Sequence, residues 1–197
     1  MLKVGLTGGI GTGKSLIAKI FTLLDIPVYI ADLKAKKLMN TNSDIREQLI
    51  QHFGIQVFDS DSNLDRGYLA KIIFNQPEAL QKVNEIVHPV VRADFASWCL
   101  KYSKYPYVIQ ESAILFDTGL YKIFDKIITV TADKEIRIKR IIKRDLTTRE
   151  LVEERMKNQL EESIKIEKSD YVIFNNLELV LPQVIKIDAF LRSLSKS

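Results

Sequence analysis

The chain has 197 residues, of which 46% are hydrophobic and 27% charged, a balance typical of a compact globular protein. One cysteine excludes an intramolecular disulfide, and two histidines that are far apart exclude a recognisable zinc motif. The net charge of +4 is scattered along the chain, which fits a small polyanionic ligand as well as nucleic acid.

Two classes of partner are not expected. No basic, aromatic-rich strand of the kind that binds single-stranded nucleic acid is present. No apolar run reaches the roughly 18 residues that cross a bilayer, and the N-terminus lacks a signal-peptide pattern. These observations predict a cytoplasmic protein that acts on a small molecule, as a monomer or a small homo-oligomer.

The first predicted elements are a buried strand and a helix joined by a glycine-rich turn. Residues 2–6 form a short apolar segment that ends at Thr7-Gly8-Gly9. From Lys14 onward, apolar residues recur at spacings of three and four until Asp25 and Pro27, which predicts an amphipathic helix.

Four further segments are short and rich in β-branched residues, as buried strands are: 27–30, 107–109, 126–130 and 171–174. Helical patterns separate them, so we predict an α/β fold with a mainly parallel sheet covered on both faces. Helices are expected at 43–53, 67–75 and 78–102, the last with a kink or break at Pro89. A second excursion covers 133–168, where Thr147 and Glu150 have capping-box spacing.

The turn after the first strand carries the pattern Gly-x-x-x-x-Gly-Lys-Ser, which is the phosphate-binding P-loop. Its position between a strand and a helix is the one that the mechanism requires, because loop amides and the helix N-terminus then converge on phosphate oxygens. Lys14 is expected to reach the β- and γ-phosphates, and the Ser15 hydroxyl to bind Mg²⁺. The predicted ATP-phosphate site comprises Gly8, Gly9, Ile10, Gly11, Thr12, Gly13, Lys14, Ser15 and Leu16.

Two acidic residues follow predicted strands, at the edge where α/β sheets build their sites. Asp32 fits a general base that accepts the proton of an attacking hydroxyl, and it equally fits the N-cap of a helix. Glu111 fits a position near the magnesium, with Ser112 to Phe116 lining the site, or a solvated strand end.

Arg137, Arg140 and Arg144 share one face of a predicted helix, where they fit either a transferring phosphoryl group or a solvated face paired with nearby Glu residues. Function is favoured for Arg144, which lies beside a helix break. His88 and Arg66 are each more typical of structural roles, a buried histidine and an exposed residue at a helix start.

Taken together, these segments resemble the dephospho-CoA kinase family over nearly the whole chain. The resemblance is carried by Gly5 to Ser15, Ala31-Asp32, Phe53-Gly54, Leu64-Asp65-Arg66, His88-Pro89, Leu115-Phe116, Arg140 with Arg144, Gln159, and Asp170 to Asn175. It implies a P-loop NTPase three-layer sandwich with a helical substrate-binding insertion and a helical lid. The implied boundaries are a nucleotide core at about 1–31, 104–132 and 169–197, an insertion at about 32–103 and a lid at about 133–168.

The resemblance also implies an activity, the transfer of the γ-phosphoryl group of ATP to the ribose 3′-hydroxyl of dephospho-CoA. Asp32 is then the base, and Lys14, Arg140 and Arg144 assist the transfer. Its other implied roles are substrate binding for Arg66, His88, Glu111 and Leu115, and a place near the adenine for Asn175.

Two positions depart from the family pattern. Ile30 stands where the family often has an aspartate, and Asp117 where many members have a glutamate. A nucleoside monophosphate kinase or other small-molecule kinase, and a nucleotide-dependent regulatory switch, are the alternatives. The guanine-recognition motif Asn-Lys-x-Asp is missing from the sequence, which disfavours a GTPase switch.

Overall fold

Five parallel strands form a single sheet in the order β2-β3-β1-β4-β5. The computed structural model describes residues 1–195, with side chains for all of these except Phe74, Asn75 and Pro77. The strands are β1 (Leu2–Thr7), β2 (Val28–Ile30), β3 (Tyr107–Glu111), β4 (Lys126–Thr131) and β5 (Tyr171–Phe174). The sequence prediction of a parallel sheet is confirmed. Every residue of β3 is buried, as expected for a strand covered on both faces.

The helices that the structure describes follow the βαβ pattern, with a long helical stretch between β2 and β3. They are α1 (Lys14–Leu23), α2 (Ala31–Thr41), α3 (Ser43–Phe53), α4 (Arg66–Asn75), α5 (Pro77–Lys101), α6 (Lys134–Asp145), α7 (Arg149–Lys157), α8 (Glu162–Glu167) and α9 (Leu181–Leu194). Short 3₁₀ helices occur at Ile55–Val57 and Leu120–Ile123. No helix within residues 1–195 is long and apolar enough to span a membrane.

Both faces of the sheet are covered. On one face, Val4 and Leu6 of β1 belong to a core that includes Phe21 of α1 and Val184 of α9. Gly5 points to the opposite face, since side chains alternate along a strand, and the segment after β3 packs against it there. The sequence prediction of a sheet covered on both faces is confirmed.

The chain divides into two compact units, one of residues 1–30 and 102–197 and the other of residues 31–101. The first contains the whole sheet with α1 and α6 to α9. The second is a helical cluster in which α2, α3 and α4 each contact the long helix α5. The division of the chain into core, insertion and lid stays a prediction.

Three details of the helices differ from the expectations. Helix α5 continues through Pro89 instead of breaking there. Asp32 is the second residue of α2 and lies in its first turn, so it is not an N-cap. Helix α7 has Thr148 as its N-cap, one residue later than the capping box placed it, and the Thr148 side chain makes no capping hydrogen bond. Local sequence patterns locate helices well but their terminal residues poorly.

Candidate active site

The P-loop connects β1 to α1, and α1 begins at Lys14 as predicted. Gly13 precedes the helix with a φ of +91°, in the left-handed region that favours glycine. A Cβ on Gly13 would also collide with the side-chain amide of Asn175. The last glycine of the motif is therefore required by its backbone conformation and by close packing.

The backbone amides of the loop divide into two groups. Those of Ile10, Thr12 and Leu16 donate within the protein, to Gln159 Oε1 at 2.9 Å, Gly9 O at 3.3 Å and Gly13 O at 3.0 Å respectively. The assignment of Ile10, Thr12 and Leu16 to the ATP-phosphate site stays a prediction. In the described part of the chain the N–H groups of Gly11, Gly13 and Ser15 have no partner, so they are available to an anion.

Lys14 and Glu111 lie together beside the loop, with Lys14 Nζ 3.9 Å from Glu111 Oε1. Glu111 ends β3 between two neighbours, since it pairs with Leu6 of β1 and Ile30 of β2. It is buried, which corrects the alternative of a solvated strand end. Ser15 is exposed at the start of α1. The arrangement places a cation, a carboxylate and a hydroxyl at the carboxyl edge of the sheet.

The three arginines of α6 have different environments, although the sequence placed them on one face. Arg137 is buried, and it donates from Nε to Ile10 O at 2.9 Å and from a terminal nitrogen to Glu162 Oε2 at 2.8 Å. Arg140 is half-buried and donates to Asn176 O at 3.2 Å. Its other terminal nitrogen is buried without a partner among the described residues.

Arg144 is mostly exposed and bonds to the adjacent carboxylate of Asp145 at 2.7 Å. This pairing, together with a contact from Arg155, holds the pKa of Asp145 below its usual value. The face of α6 thus runs from a buried P-loop contact at Arg137 to an exposed ion pair at Arg144.

Asn175 supports the P-loop from the end of β5. Its side-chain nitrogen donates to Thr12 O at 2.7 Å, and its backbone N–H donates to Thr131 O at 2.8 Å. The residue is buried and its amide supports the loop, and the expectation that Asn175 lies near the adenine stays a prediction. The next residue, Asn176, joins the start of α6 through two hydrogen bonds with Asp133.

The side chain of Leu115 packs against β1. It is fully buried and lies against Gly5 of β1, where a Cβ on Gly5 would be 2.9 Å from Leu115 Cδ1. Its side chain thus packs against the sheet, and the substrate-binding role of Leu115 stays a prediction.

Asp32, Arg66 and His88 belong to the unit of residues 31–101, and their roles toward a substrate stay predictions. Arg66 is exposed and opens α4 behind the N-cap Asp65, whose side chain accepts from the Tyr68 amide at 2.9 Å. His88 is half-buried on α5. Burial, with a smaller effect from the positive charge of Arg92, lowers the pKa of His88.

Sequence reasoning missed the residues that hold the P-loop from the segment after α7. Gln159 accepts from the Ile10 amide, and Glu162 binds Arg137. Gln159 was noticed only as part of a resemblance, and Glu162 gave no signal because its partner is 25 positions away.

Comparison with known proteins shows the family. A family model for dephospho-CoA kinase matches residues 2–180. The dephospho-CoA kinase of Fusobacterium nucleatum is 39% identical over 176 residues, which cover 89% of this chain and 90% of the relative. That of Bacteroides fragilis is 35% identical over 191 residues, covering 96% and 93%.

The fold agrees as well. The solved structure of dephospho-CoA kinase from Campylobacter jejuni aligns with a TM-score of 0.73 at 25% identity, over 97% of each chain. The P-loop, the parallel sheet and these matches over most of the sequence lead to one conclusion: the chain belongs to the dephospho-CoA kinase family.

Proposed function

We propose that this chain transfers the γ-phosphoryl group of ATP to the ribose 3′-hydroxyl of dephospho-CoA, giving coenzyme A and ADP. The observation that carries the proposal is a complete P-loop at the edge of the sheet in a chain that matches this kinase family over residues 2–180. ATP use follows from the family and from the phosphate-binding chemistry of the loop.

The loop binds the nucleotide phosphates through backbone amides and charge. The N–H groups of Gly11, Gly13 and Ser15 donate to phosphate oxygens, and the positive end of α1 adds to the attraction. Lys14, whose Nζ lies 3.9 Å from Glu111 Oε1, binds the β- and γ-phosphates. The Glu111 carboxylate orients this ammonium group at the sheet edge.

Asp32 is the proposed general base. It follows Ile30 by two residues, and Ile30 ends β2 beside Glu111 at the carboxyl edge of the sheet. Its carboxylate accepts the proton of the 3′-hydroxyl as that oxygen attacks phosphorus, a contribution of about 10²- to 10⁴-fold in rate. Ile30 in place of the family's first aspartate leaves Asp32 as the acid at this turn.

Arg140 and Arg144 are proposed to neutralise charge on the transferring group. Arg140 keeps one buried terminal nitrogen without a protein partner in the described chain, so it can donate to an anion without losing its bond to Asn176. Arg144 must exchange Asp145 for phosphate, and its exposure permits this. Arg66 and His88 are proposed to bind the acceptor.

Mg²⁺ is the proposed metal, and the donors present fit it. Mg²⁺ prefers oxygen and takes one or two protein ligands beside phosphates and water, which the Ser15 hydroxyl and the nearby Glu111 carboxylate can provide. No group of three or more His, Cys, Asp or Glu within residues 1–195 forms an all-protein metal site, in keeping with this mode of binding. When bound, the ion neutralises charge on the β- and γ-phosphates. The cytoplasmic location stays a prediction.

The direct test is identification of the product. The protein is incubated with ATP, Mg²⁺ and dephospho-CoA, and the product is compared with authentic coenzyme A by mass spectrometry and ³¹P NMR. The proposal expects a phosphomonoester on the 3′-oxygen. A phosphate on any other oxygen, or ADP release without a phosphorylated acceptor, contradicts it.

A further inference from the structure

The residue at the tip of the P-loop, Ile10, is held on both sides by the segment of residues 133–168. Gln159 Oε1 accepts from the Ile10 N–H at 2.9 Å, and Arg137 Nε donates to the Ile10 carbonyl at 2.9 Å. The two side chains thus fix the peptide before Ile10 and the peptide after it.

These contacts determine a turn. Thr12 N donates to Gly9 O at 3.3 Å, which closes a four-residue turn, and Gly11 at its third position has a φ of +81°. That φ is the value required by a type II turn, in which the central peptide is flipped relative to type I. The central peptide joins Ile10 to Gly11, and its carbonyl is the group that Arg137 holds.

Both peptides are trans, so the C=O and N–H groups of each point in opposite directions. A contact that fixes one of these groups therefore also fixes the direction of the other. With its N–H on Gln159, the first peptide turns Gly9 O toward Thr12, where it accepts from the backbone and from the hydroxyl at 2.9 Å. The carbonyl of the second peptide accepts from Arg137, so its N–H, that of Gly11, points away from the segment of residues 133–168. This N–H has no partner in the described chain.

Arg137 is itself held firmly. Its guanidinium lies so close to Gly9 that a Cβ there would collide with it, and Glu162 accepts from it at 2.8 Å. Lys165 lies on α8, three residues after Glu162. It is 1% exposed, and its Nζ has no hydrogen-bond partner among the described residues. Burial lowers the pKa of Lys165. The carboxylates of Asp117 and Glu162 oppose this shift by attraction, and the like charge of Arg137 adds to it. Glu162 is thus the carboxylate partner of Arg137 beneath the loop, and Lys165 is a second buried cation close to this pair.

We propose that Gln159 and Arg137 are positioning residues for the phosphate-binding turn. They hold the Ile10 peptides in the orientation that presents the Gly11 N–H to an anion, so that the loop is arranged before the nucleotide arrives. This role rests on the proposed use of ATP by the same loop. It lowers the ordering cost of binding, as preorganisation does.

The test uses three single variants of the full chain. Gln159→Met removes the acceptor at nearly the same side-chain length, Gln159→Glu keeps an acceptor oxygen, and Asn158→Met is the control on the exposed neighbouring residue. Amide hydrogen exchange of Ile10 is measured by NMR without nucleotide, and the Kd for ADP by calorimetry. The KM values for ATP and dephospho-CoA are measured at steady state.

The proposal expects Gln159→Met to speed exchange of the Ile10 amide by about tenfold or more and to raise the Kd for ADP by about 3- to 10-fold, the range of one net hydrogen bond. The KM for ATP rises by a similar factor, whereas the KM for dephospho-CoA stays unchanged. Gln159→Glu restores protection of the amide. Rescue is scored on exchange, because an added carboxylate itself repels phosphate.

The proposal is overturned if Gln159→Met exchanges the Ile10 amide and binds ADP as the wild type does. It is also overturned if Asn158→Met loses as much ADP affinity and amide protection as Gln159→Met. The double variant Arg137→Met/Glu162→Gln gives a second test, since it removes both charges of the buried pair together. It is expected to weaken ADP binding further, and unchanged binding counts against the role of Arg137. Failure of the wild type to bind nucleotide at all would refute the proposed function instead, while the exchange measurement still decides how Ile10 is held.

Discussion

Asn175 offers a quantitative test of how the P-loop is supported. Its side-chain nitrogen donates to Thr12 O at 2.7 Å, and both residues are buried. In Asn175→Ala the Thr12 carbonyl loses this donor inside the protein, which costs about 1–3 kcal/mol. We expect a loss of about 2 kcal/mol in the free energy of unfolding, or roughly 4–8 °C in Tm for a chain of this size.

The adjacent residue provides a matched control. Asn176 also makes two side-chain hydrogen bonds, both to the exposed residue Asp133, and water can replace them there. Asn176→Ala is therefore expected to cost less than about 1 kcal/mol. The difference in the free energy of unfolding between the two variants therefore measures the effect of burying the hydrogen bond to Thr12.

The assay is urea unfolding followed by far-UV circular dichroism. Trp98, the single tryptophan, lies in the unit of residues 31–101, so its fluorescence reports on the other unit in the same samples. The reasoning is refuted if the free energy of unfolding of Asn175→Ala lies within about 0.5 kcal/mol of the wild-type value. It is also refuted if Asn175→Ala loses no more stability than Asn176→Ala.

Two further predictions concern the unit of residues 31–101. Asp32→Asn should lower kcat by about 10²- to 10⁴-fold while the Kd for ATP stays within a factor of about two. The control is Asp44→Asn, in the first turn of α3. Equal turnover in the two variants removes Asp32 from the mechanism. The pKa of His88 is lower in the folded than in the unfolded protein, so the unfolded chain binds more protons and stability falls as the pH drops from about 6.5 toward the folded pKa. His88→Gln should flatten this dependence in urea unfolding followed by Trp98 fluorescence, whereas exposed His52→Gln should not; a wild-type slope in His88→Gln would contradict the assignment.

The parts of the fold that sequence predicted are those set by local pattern. The buried strands were found from runs of β-branched residues, and β1 and α1 from the apolar residues on either side of the glycine turn. Strand order was not predictable in this way, because β1 lies between β3 and β4 and its pairing partners are about 100 residues or more away. The terminal residues of helices were also misplaced, as at the N-cap of α7.

The candidate site was predicted in its residue types more than in its contacts. The spacing of Gly13, Lys14 and Ser15 placed them correctly at the start of α1. The fates of Arg137, Leu115 and Asn175 were not predictable, since each is decided by a partner more than 100 positions away in the sequence. Periodicity placed Arg137 on the face of a helix, and only the fold shows that the face lies against the P-loop.

The most direct test of the central claim is ADP release with a panel of acceptors. ATP and Mg²⁺ are supplied with dephospho-CoA, AMP, CMP or no acceptor, and ADP is followed by a coupled assay. The account predicts turnover with dephospho-CoA and only background rates with the other three. Turnover with a nucleoside monophosphate, or ADP release that does not depend on an acceptor, would contradict it.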